Sequence, residues 1–271
     1  GLEAACTAAE VGCNTFLLEK SNELGGLASL ISKIPAKNRL ADFPHYLMHR
    51  AEQLDNLYIF KNTEGTPENI RKFHPNIIVS STGSAPLLPP IAGLKDRIDN
   101  ENHNIYSILG MISHINDFPK DLEGKKVVVV GGGAVGLDVV EFFADRNADI
   151  SIVEMMDQIG RDLDPVSKND TKTMMKKHNV HQLTKTALLE VKDSSFLVRG
   201  DGEPYELPFE YGFVCLGMRA QGQLYQNLTE EFSSEDVEIM NIGDSQRARR
   251  IIDGTQEGRN ILTILEQKGY L

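Results

Sequence analysis

The sequence predicts an α/β fold with a parallel sheet in each of two units, one unit inserted into the other. Three observations predict it. The apolar run from Lys125 to Val130 passes through Gly131, Gly132 and Gly133 straight into a helix-like segment that starts Ala134, Val135, Gly136, Leu137, Asp138. Strand-like and helix-like runs alternate along the chain. The chain also resembles itself at an offset of 135 residues.

The glycine turn is the most informative segment. Gly131, Gly133 and Gly136 form a G-x-G-x-x-G pattern between a strand and a helix. Such a turn offers free backbone N–H groups, here at Ala134 and Val135, and the positive helix end to a pyrophosphate. Glu154 closes the next apolar run, eighteen residues past Gly136. A carboxylate at that strand end accepts both hydroxyls of an adenosine ribose. Strand, glycines, helix and acid together predict a Rossmann-like dinucleotide-binding unit. A carboxylate there repels a 2′-phosphate, so Glu154 favours NADH over NADPH, while Arg161 nearby in sequence works against that preference. The competing reading of Glu154 is a solvated strand end.

The self-resemblance predicts a second such unit. At the offset of 135 residues, Gly1, Leu2 and Glu3 fall on Gly136, Leu137 and Asp138. Glu19 falls on Glu154, and Leu24-Gly25 on Ile159-Gly160, with no gap. Gly1 then stands as a third fingerprint glycine, and the opening strand and first two glycines of that unit lie outside the sequence. The expectation is a chain truncated at its N-terminus.

The remaining elements follow in order. Helices are expected over residues 1–12, 39–53 and 104–115, with a start near Pro67, and strands over 14–19, 58–60 and 76–84, the last running into a glycine turn. Residues 86–93 read as a proline-rich linker. After the fingerprint helix comes a helix from Asp164 to about His178, then an antiparallel ribbon over 188–198 and 205–207 around an Asp201-Gly202 turn. The strand into Gly217 repeats the strand into Thr82-Gly83. A last strand ends in Gly243-Asp244, and a helix closes the chain. If that last strand returns to the first sheet, the division is 1–120, 121–218 and 219–271, the middle part being the inserted unit.

Candidate binding residues lie at the carboxyl ends of these strands, where open α/β sheets take ligands. In the first unit they are Gly1, Glu19, Lys20, Gly25, Gly26, Thr82, Gly83, Gly243 and Asp244. In the second they are Gly131, Gly133, Ala134, Val135, Gly136, Glu154 and Gly217. Taken singly, each glycine is also explained by an ordinary turn.

Composition narrows the partners. The net charge of −11 argues against nucleic acid and anionic membranes. No apolar run is long enough to span a bilayer, and no signal peptide is evident. Cys6, Cys13 and Cys215 are scattered, with no C-x-x-C or C-x-x-x-x-C pair, so no redox dithiol and no metal or iron–sulfur site is expected. A reducing, cytoplasmic setting fits.

Several segments together resemble the two-dinucleotide-fold flavoprotein reductases. They are Glu19 to Gly26, Ser81 to Pro86, Gly131 to Gly136, and Ile242-Gly243-Asp244. More narrowly, Val153-Glu154-Met155 with Arg161 to Pro165, and Gly243-Asp244 with Arg249 to Ile252, resemble the C-terminal half of the NADH:flavin oxidoreductase / 2,4-dienoyl-CoA reductase family. The resemblance implies FAD in the first unit and NAD(P)H in the second. It also implies an N-terminal barrel, outside this sequence, that holds FMN and a four-iron cluster and reduces an activated C=C bond of a small molecule. Ser245 after Gly243-Asp244, and Ala248 where the family usually has proline, depart from its pattern. Hydride transfer needs no protein acid or nucleophile, so no catalytic side chain is expected. An NADH oxidase, an amine dehydrogenase-type flavoprotein and a nucleotide-binding fragment without catalysis are the alternatives.

Overall fold

The computed structural model describes residues 1–271, which form two compact units. Unit 1 comprises Gly1–Ser32, Lys37–Ala85 and Met218–Leu271, and unit 2 comprises Lys33–Ala36 and Pro86–Gly217.

Unit 1 opens with α1 (Leu2–Glu10), β1 (Thr15–Leu18) and α2 (Gly26–Ile31), and a 3-10 turn over Pro35–Ala41 follows, its first two residues grouped with unit 2. It continues with α3 (Asp42–Glu52), β2 (Leu57–Phe60), α4 (Pro67–Arg71), β3 (Ile77–Ser80) and β4 (Ser84–Pro86). β1 and β2 pair in parallel, with Leu17 opposite Ile59. The alanine-rich face of α1 buries Ala5, Cys6 and Ala9 against Leu57, Leu17 and Ile59. Small side chains there let helix and sheet approach closely, and Thr66 caps α4 by accepting from the Asn69 N–H.

Unit 2 contains α5 (Leu94–Arg97), β5 (Ile105–Tyr106), α6 (Ile108–Ser113), β6 (Lys126–Val130), α7 (Ala134–Ala144), β7 (Asp149–Val153) and α8 (Pro165–Lys177). β8 (His181–Leu183), β9 (Ala187–Val191), β10 (Ser195–Arg199), β11 (Tyr205–Pro208) and β12 (Tyr211–Val214) follow. The five-stranded sheet runs β5-β12-β6-β7-β8 and is parallel throughout. Both faces of β6 are covered, which explains its unbroken valines. Val128 and Val130 join Phe196, Val198 and Phe209 under the antiparallel ribbon β11-β10-β9. Strand alternation turns Val127 and Val129 to the other face, where Phe143 of α7 packs on Phe213 with ring centroids 4.8 Å apart.

The chain then returns to unit 1 through β13 (Met218–Ala220), α9 (Gln223–Glu231), β14 (Glu238–Asn241), a 3-10 turn at Gly243–Ser245, α10 (Ile251–Arg259) and α11 (Ile261–Gln267). β13 pairs with β4. β14 pairs in parallel with β3, Met240 opposite Val79. The last strand therefore returns to unit 1, and the Pro86–Gly217 part of unit 2 is the insertion.

Two expectations change. The insertion begins at Pro86, where the sequence placed the boundary at 120/121, and it ends at Gly217 instead of 218. The expected helix over 104–115 is a two-residue strand and a shorter helix. Ile105 and Tyr106 pair with Gly212 and Phe213, which ties this stretch to the inserted sheet.

One ionic network centred on buried Glu3 ties α1 into unit 1. Glu3 Oε1 accepts from Arg50 Nη1 at 2.9 Å and from Arg259 Nε at 2.8 Å. Arg50 also forms a two-pronged pair with Glu10, at 2.5 and 2.7 Å. Burial of Glu3 raises its carboxyl pKa, but the Arg259 and Arg50 hydrogen bonds outweigh that and hold it below the usual range. A depressed folded pKa adds stability that is present above the unfolded value of about 4.3 and lost as pH falls through the folded value. The melting temperature of the wild-type chain is therefore expected to fall more steeply between pH 5 and 3 than that of Glu3→Gln. Parallel declines in a circular-dichroism pH series would contradict this.

Candidate nucleotide-binding sites

The inserted unit builds its site at the carboxyl end of β6. Gly131 has φ +109°, and a methyl group on its α-carbon would lie 2.1 Å from the Cys215 carbonyl oxygen. A methyl on Gly136 would lie 1.9 Å from the Gly131 carbonyl oxygen. Both glycines are required because backbone packs on backbone there. Gly133 differs: a methyl built on it meets nothing within 4 Å. It serves as the N-cap of α7 with no side-chain hydrogen bond to the first turn. Gly133 and Ala134 are exposed, and Val135 is half-buried. The first-turn N–H groups of α7 thus face an open cradle without a capping side chain, which suits a phosphate.

Glu154 closes one side of this turn. Its Oε2 accepts from the Gly132 N–H at 2.7 Å, and its Oε1 accepts from the Met156 N–H at 2.7 Å. A carboxylate has about four acceptor sites, so two main-chain bonds leave room for ribose hydroxyls. The pair of bonds fixes the carboxylate beside the glycines, and this is a different role from a freely solvated strand end. Gly132 and Gly160 were not among the candidates from sequence. Gly132 orients Glu154, and the Gly160 N–H donates to the Gly132 carbonyl at 2.7 Å. The Ile159-Gly160 match in the internal repeat was the signal for Gly160. Gly217 follows β12 with φ +100°, and its carbonyl accepts from the Leu87 N–H at 2.9 Å.

Unit 1 arranges its candidates in two groups. Gly1 stands at the head of α1, where a methyl group would lie 2.8 Å from Ser81 Oγ and 4.0 Å from Leu17 Cδ1. Glu19 follows β1, and its Oε1 accepts from both the N–H and the hydroxyl of Ser21 at 2.8 Å. Lys20 is exposed beside it. Gly25 (φ +99°) caps α2, whose first residue is Gly26 (φ +54°).

The second group joins Thr82 and Gly83 to Gly243 and Asp244. Asp244 Oδ2 accepts from the Ser84 hydroxyl at 3.0 Å, and Oδ1 accepts from the Arg249 N–H at 3.0 Å. The Thr82 hydroxyl donates to the Gln221 carbonyl at 2.5 Å, and the Gln221 N–H donates to the Gly83 carbonyl at 2.9 Å. Glu257 supports the turn from α10. It accepts from the Gly243 N–H at 2.6 Å and pairs with Arg249. Ser84, Arg249 and Glu257 were not predicted as site residues: Ser84 meets Asp244 across 160 residues of sequence, and Glu257 reaches the turn only because α10 folds back onto it.

The cysteine thiols form no pair. Cys6, Cys13 and Cys215 are free. Burial pushes the Cys215 thiol pKa up to about 12, and buried Cys6 donates to the Leu47 carbonyl at 3.6 Å. No cluster of three or more histidine, cysteine, aspartate or glutamate side chains suited to a metal occurs. No helix is long and apolar enough to cross a membrane.

The second and third fingerprint glycines, Gly133 and Gly136, should respond differently to a methyl group. Gly136→Ala is expected to cost about 1–3 kcal/mol through overpacking. Gly133→Ala should stay within about 0.5 kcal/mol of wild type. Urea unfolding of both variants checks this.

Comparison with known proteins agrees with this architecture. An NADH oxidase of Thermoanaerobacter brockii is 26% identical over 259 residues, covering 95% of this chain and 38% of that protein. A bilirubin reductase of Mediterraneibacter gnavus is 26% identical over 262 residues, covering 95% of this chain and 38% of that protein. The structure of a 2-naphthoyl-CoA reductase bound to 2-naphthoyl-CoA superposes with TM-score 0.81 at 23% identity, over 96% of this chain and 37% of that one. The chain thus spans well under half the length of these relatives. The family profile described as pyridine nucleotide-disulphide oxidoreductase matches residues 48–240. The protein belongs to that family.

Proposed function

We propose that this chain is the electron-entry part of a larger flavoenzyme, with NADH bound by unit 2 and FAD by unit 1. The observation that carries the reading is the glycine turn between β6 and α7, with Glu154 fastened beside it. In this reading Gly131, Gly133 and Gly136 bring the backbone close to the pyrophosphate, and the N–H groups of Ala134 and Val135 bind it. Glu154 accepts the ribose hydroxyls and disfavours a 2′-phosphate. Gly217, at the end of the neighbouring strand, keeps the mouth of the site free of side chains.

In unit 1, Glu19 accepts the adenosine ribose, Lys20 flanks it, and Gly25 and Gly26 allow close backbone approach. Gly1 and the first turn of α1 face the pyrophosphate. Thr82, Gly83, Gly243 and Asp244 line the opposite side, where Asp244, held by Ser84 and the Arg249 N–H, accepts hydrogen bonds from a sugar chain. When bound, the two cofactors supply hydride donation and acceptance. The protein orients them and excludes water, and no side chain acts as acid or nucleophile.

In the whole protein the electrons go on to a barrel domain with FMN and a four-iron cluster, which reduces an activated C=C bond in an enoate or enoyl-CoA. The motifs around Glu154 and Asp244 support this finer reading. The scattered, unpaired cysteines support it too, because a dithiol carrier has no residues here. NADH oxidase activity is the second reading, favoured by the Thermoanaerobacter brockii relative.

The test is an absorbance spectrum of the chain after incubation with FAD and desalting, followed by anaerobic NADH. A retained flavin band that bleaches is the expected result. No retained flavin would contradict the assignment of FAD to unit 1 of this chain. Two substitutions check the nucleotide site. Glu154→Ala and Gly133→Ala should each weaken NADH binding at least about tenfold, a loss of about 1.4 kcal/mol. Gly133→Ala should do so without loss of stability. Unchanged NADH affinity in both would overturn the placement.

A further inference from the structure

We propose that unit 1 carries a further small-molecule site, apart from the cofactor candidates, that takes a sugar phosphate at the head of α9. The site is a cleft of about 610 Å³ bounded by the end of β13, the first turn of α9, the end of β14 and the residues after Asp244. Small-molecule sites ordinarily measure ~300–1,000 Å³. All of the lining residues fall between 219 and 246, within unit 1, and none is a cofactor-binding candidate.

The lining suits an oxygen-rich anion. It holds no carboxylate, although the chain has 39 aspartate and glutamate residues and a net charge of −11. Arg219, exposed at the rim, supplies a cation. Of the four glutamines in the lining, only Gln223 uses its amide within the protein, donating to Asn227 Oδ1 at 2.9 Å. Only Ala220 and the Tyr225 ring offer apolar surface, so an apolar ligand has little to bury against. α9 begins at Gly222 with no capping side chain, which leaves the N–H groups of its first turn for a ligand. Gly222 seats this helix head against the 3-10 turn, where a methyl group would lie 3.3 Å from the Ser245 carbonyl oxygen.

The floor of the cleft is fixed in place. Asn241 Nδ2 donates to the Ser245 carbonyl at 3.2 Å, and Asn241 Oδ1 accepts from the buried Ser245 hydroxyl at 2.7 Å. These bonds orient the Asn241 amide and leave one of its N–H groups for a ligand. Ser80 of β3 lies opposite Asn241. By strand alternation it shares a face with Ile78, which packs on Leu228 of α9. The Ser80 hydroxyl therefore faces the cleft floor. Ser80 is 2% exposed, and its Oγ has no hydrogen-bond partner. Buried hydroxyls are ordinarily partnered, so this one points to a ligand group at the floor.

The donors sort the two ends of the ligand. A phosphate presents acceptor oxygens and negative charge, which match the first-turn N–H groups of α9 and the Arg219 guanidinium. Gln226, Asn241 and Gln246 offer donors and acceptors together, which match hydroxyls that act as both.

The test titrates the isotopically labelled 271-residue chain with D-ribose 5-phosphate, D-ribose, inorganic phosphate and succinate, each into the millimolar range, and follows amide chemical shifts. D-ribose 5-phosphate should give saturable shifts at Gly222 to Tyr225, at Ser245 and at the Asn241 side-chain amide. Its affinity should exceed that of the other three by at least about tenfold. Arg219→Gln and Gln226→Glu, both at exposed positions, should each weaken it by at least about tenfold with the melting temperature unchanged. NADH should still shift Gly131 to Gly136 in both variants, so failure of this site and failure of the nucleotide reading are told apart. The proposal is overturned by the absence of saturable shifts at the head of α9, or by shifts confined to Gly131 to Gly136 or to Thr82, Gly83 and Asp244. Equal affinity for ribose, phosphate or succinate, or wild-type affinity in either variant, overturns it as well.

Discussion

No methyl group fits between the α-carbon of Gly136 and the carbonyl of Gly131. This close approach lets α7 start directly from the end of β6 and lie across the sheet. Gly131 in turn packs on the Cys215 carbonyl, so the turn is locked to β12 as well as to its own helix. The aromatic layer then follows. With α7 held down, Phe142 and Phe143 reach Phe118, and Phe143 reaches Phe213. The cost of two glycines in chain entropy is offset by burial of these large side chains.

The same backbone crowding produces the site. Where the chain packs tightly, at Gly131 and Gly136, it turns sharply enough to aim the first N–H groups of α7 outward. Where it does not pack, at Gly133, it leaves open space in front of them. Glu154 is held at the margin by two main-chain donors, so its position is set by the fold and not by solvent. Unit 1 solves a similar problem with side chains. Its Gly243-Asp244 turn is braced by the Ser84 hydroxyl from a distant segment and by the Arg249 N–H and the Glu257 carboxylate from the residues that follow it.

Much of this was legible in the sequence, and for local reasons. The valines of β6, the glycines after them and Glu154 are contiguous or at fixed spacing. The ribbon from Ala187 to Pro208 carries its own turn at Asp201-Gly202. The elements that escaped have little local signal. Ile105 and Tyr106 form a strand only because β12 offers an edge, so a helical pattern was read across them. β4 and β13 are three residues each and exist through one another. The boundary at Pro86 was read too late for the same reason, because residues 86–120 declare their unit only by packing. Glu3 was seen as a repeat match to Asp138, and its role in the ion network with Arg50 and Arg259 depends on helices far apart in the chain.

The central claim is that unit 2 binds a pyridine nucleotide across the β6–α7 turn. The most direct measurement is a titration of the isotopically labelled chain with NADH, followed through backbone amide chemical shifts. The account predicts saturable shifts concentrated at Gly131 to Gly136, at Glu154 and Met156, and at Gly217. Shifts that leave these residues untouched while NADH binds elsewhere, or no saturable shifts at all, would contradict it.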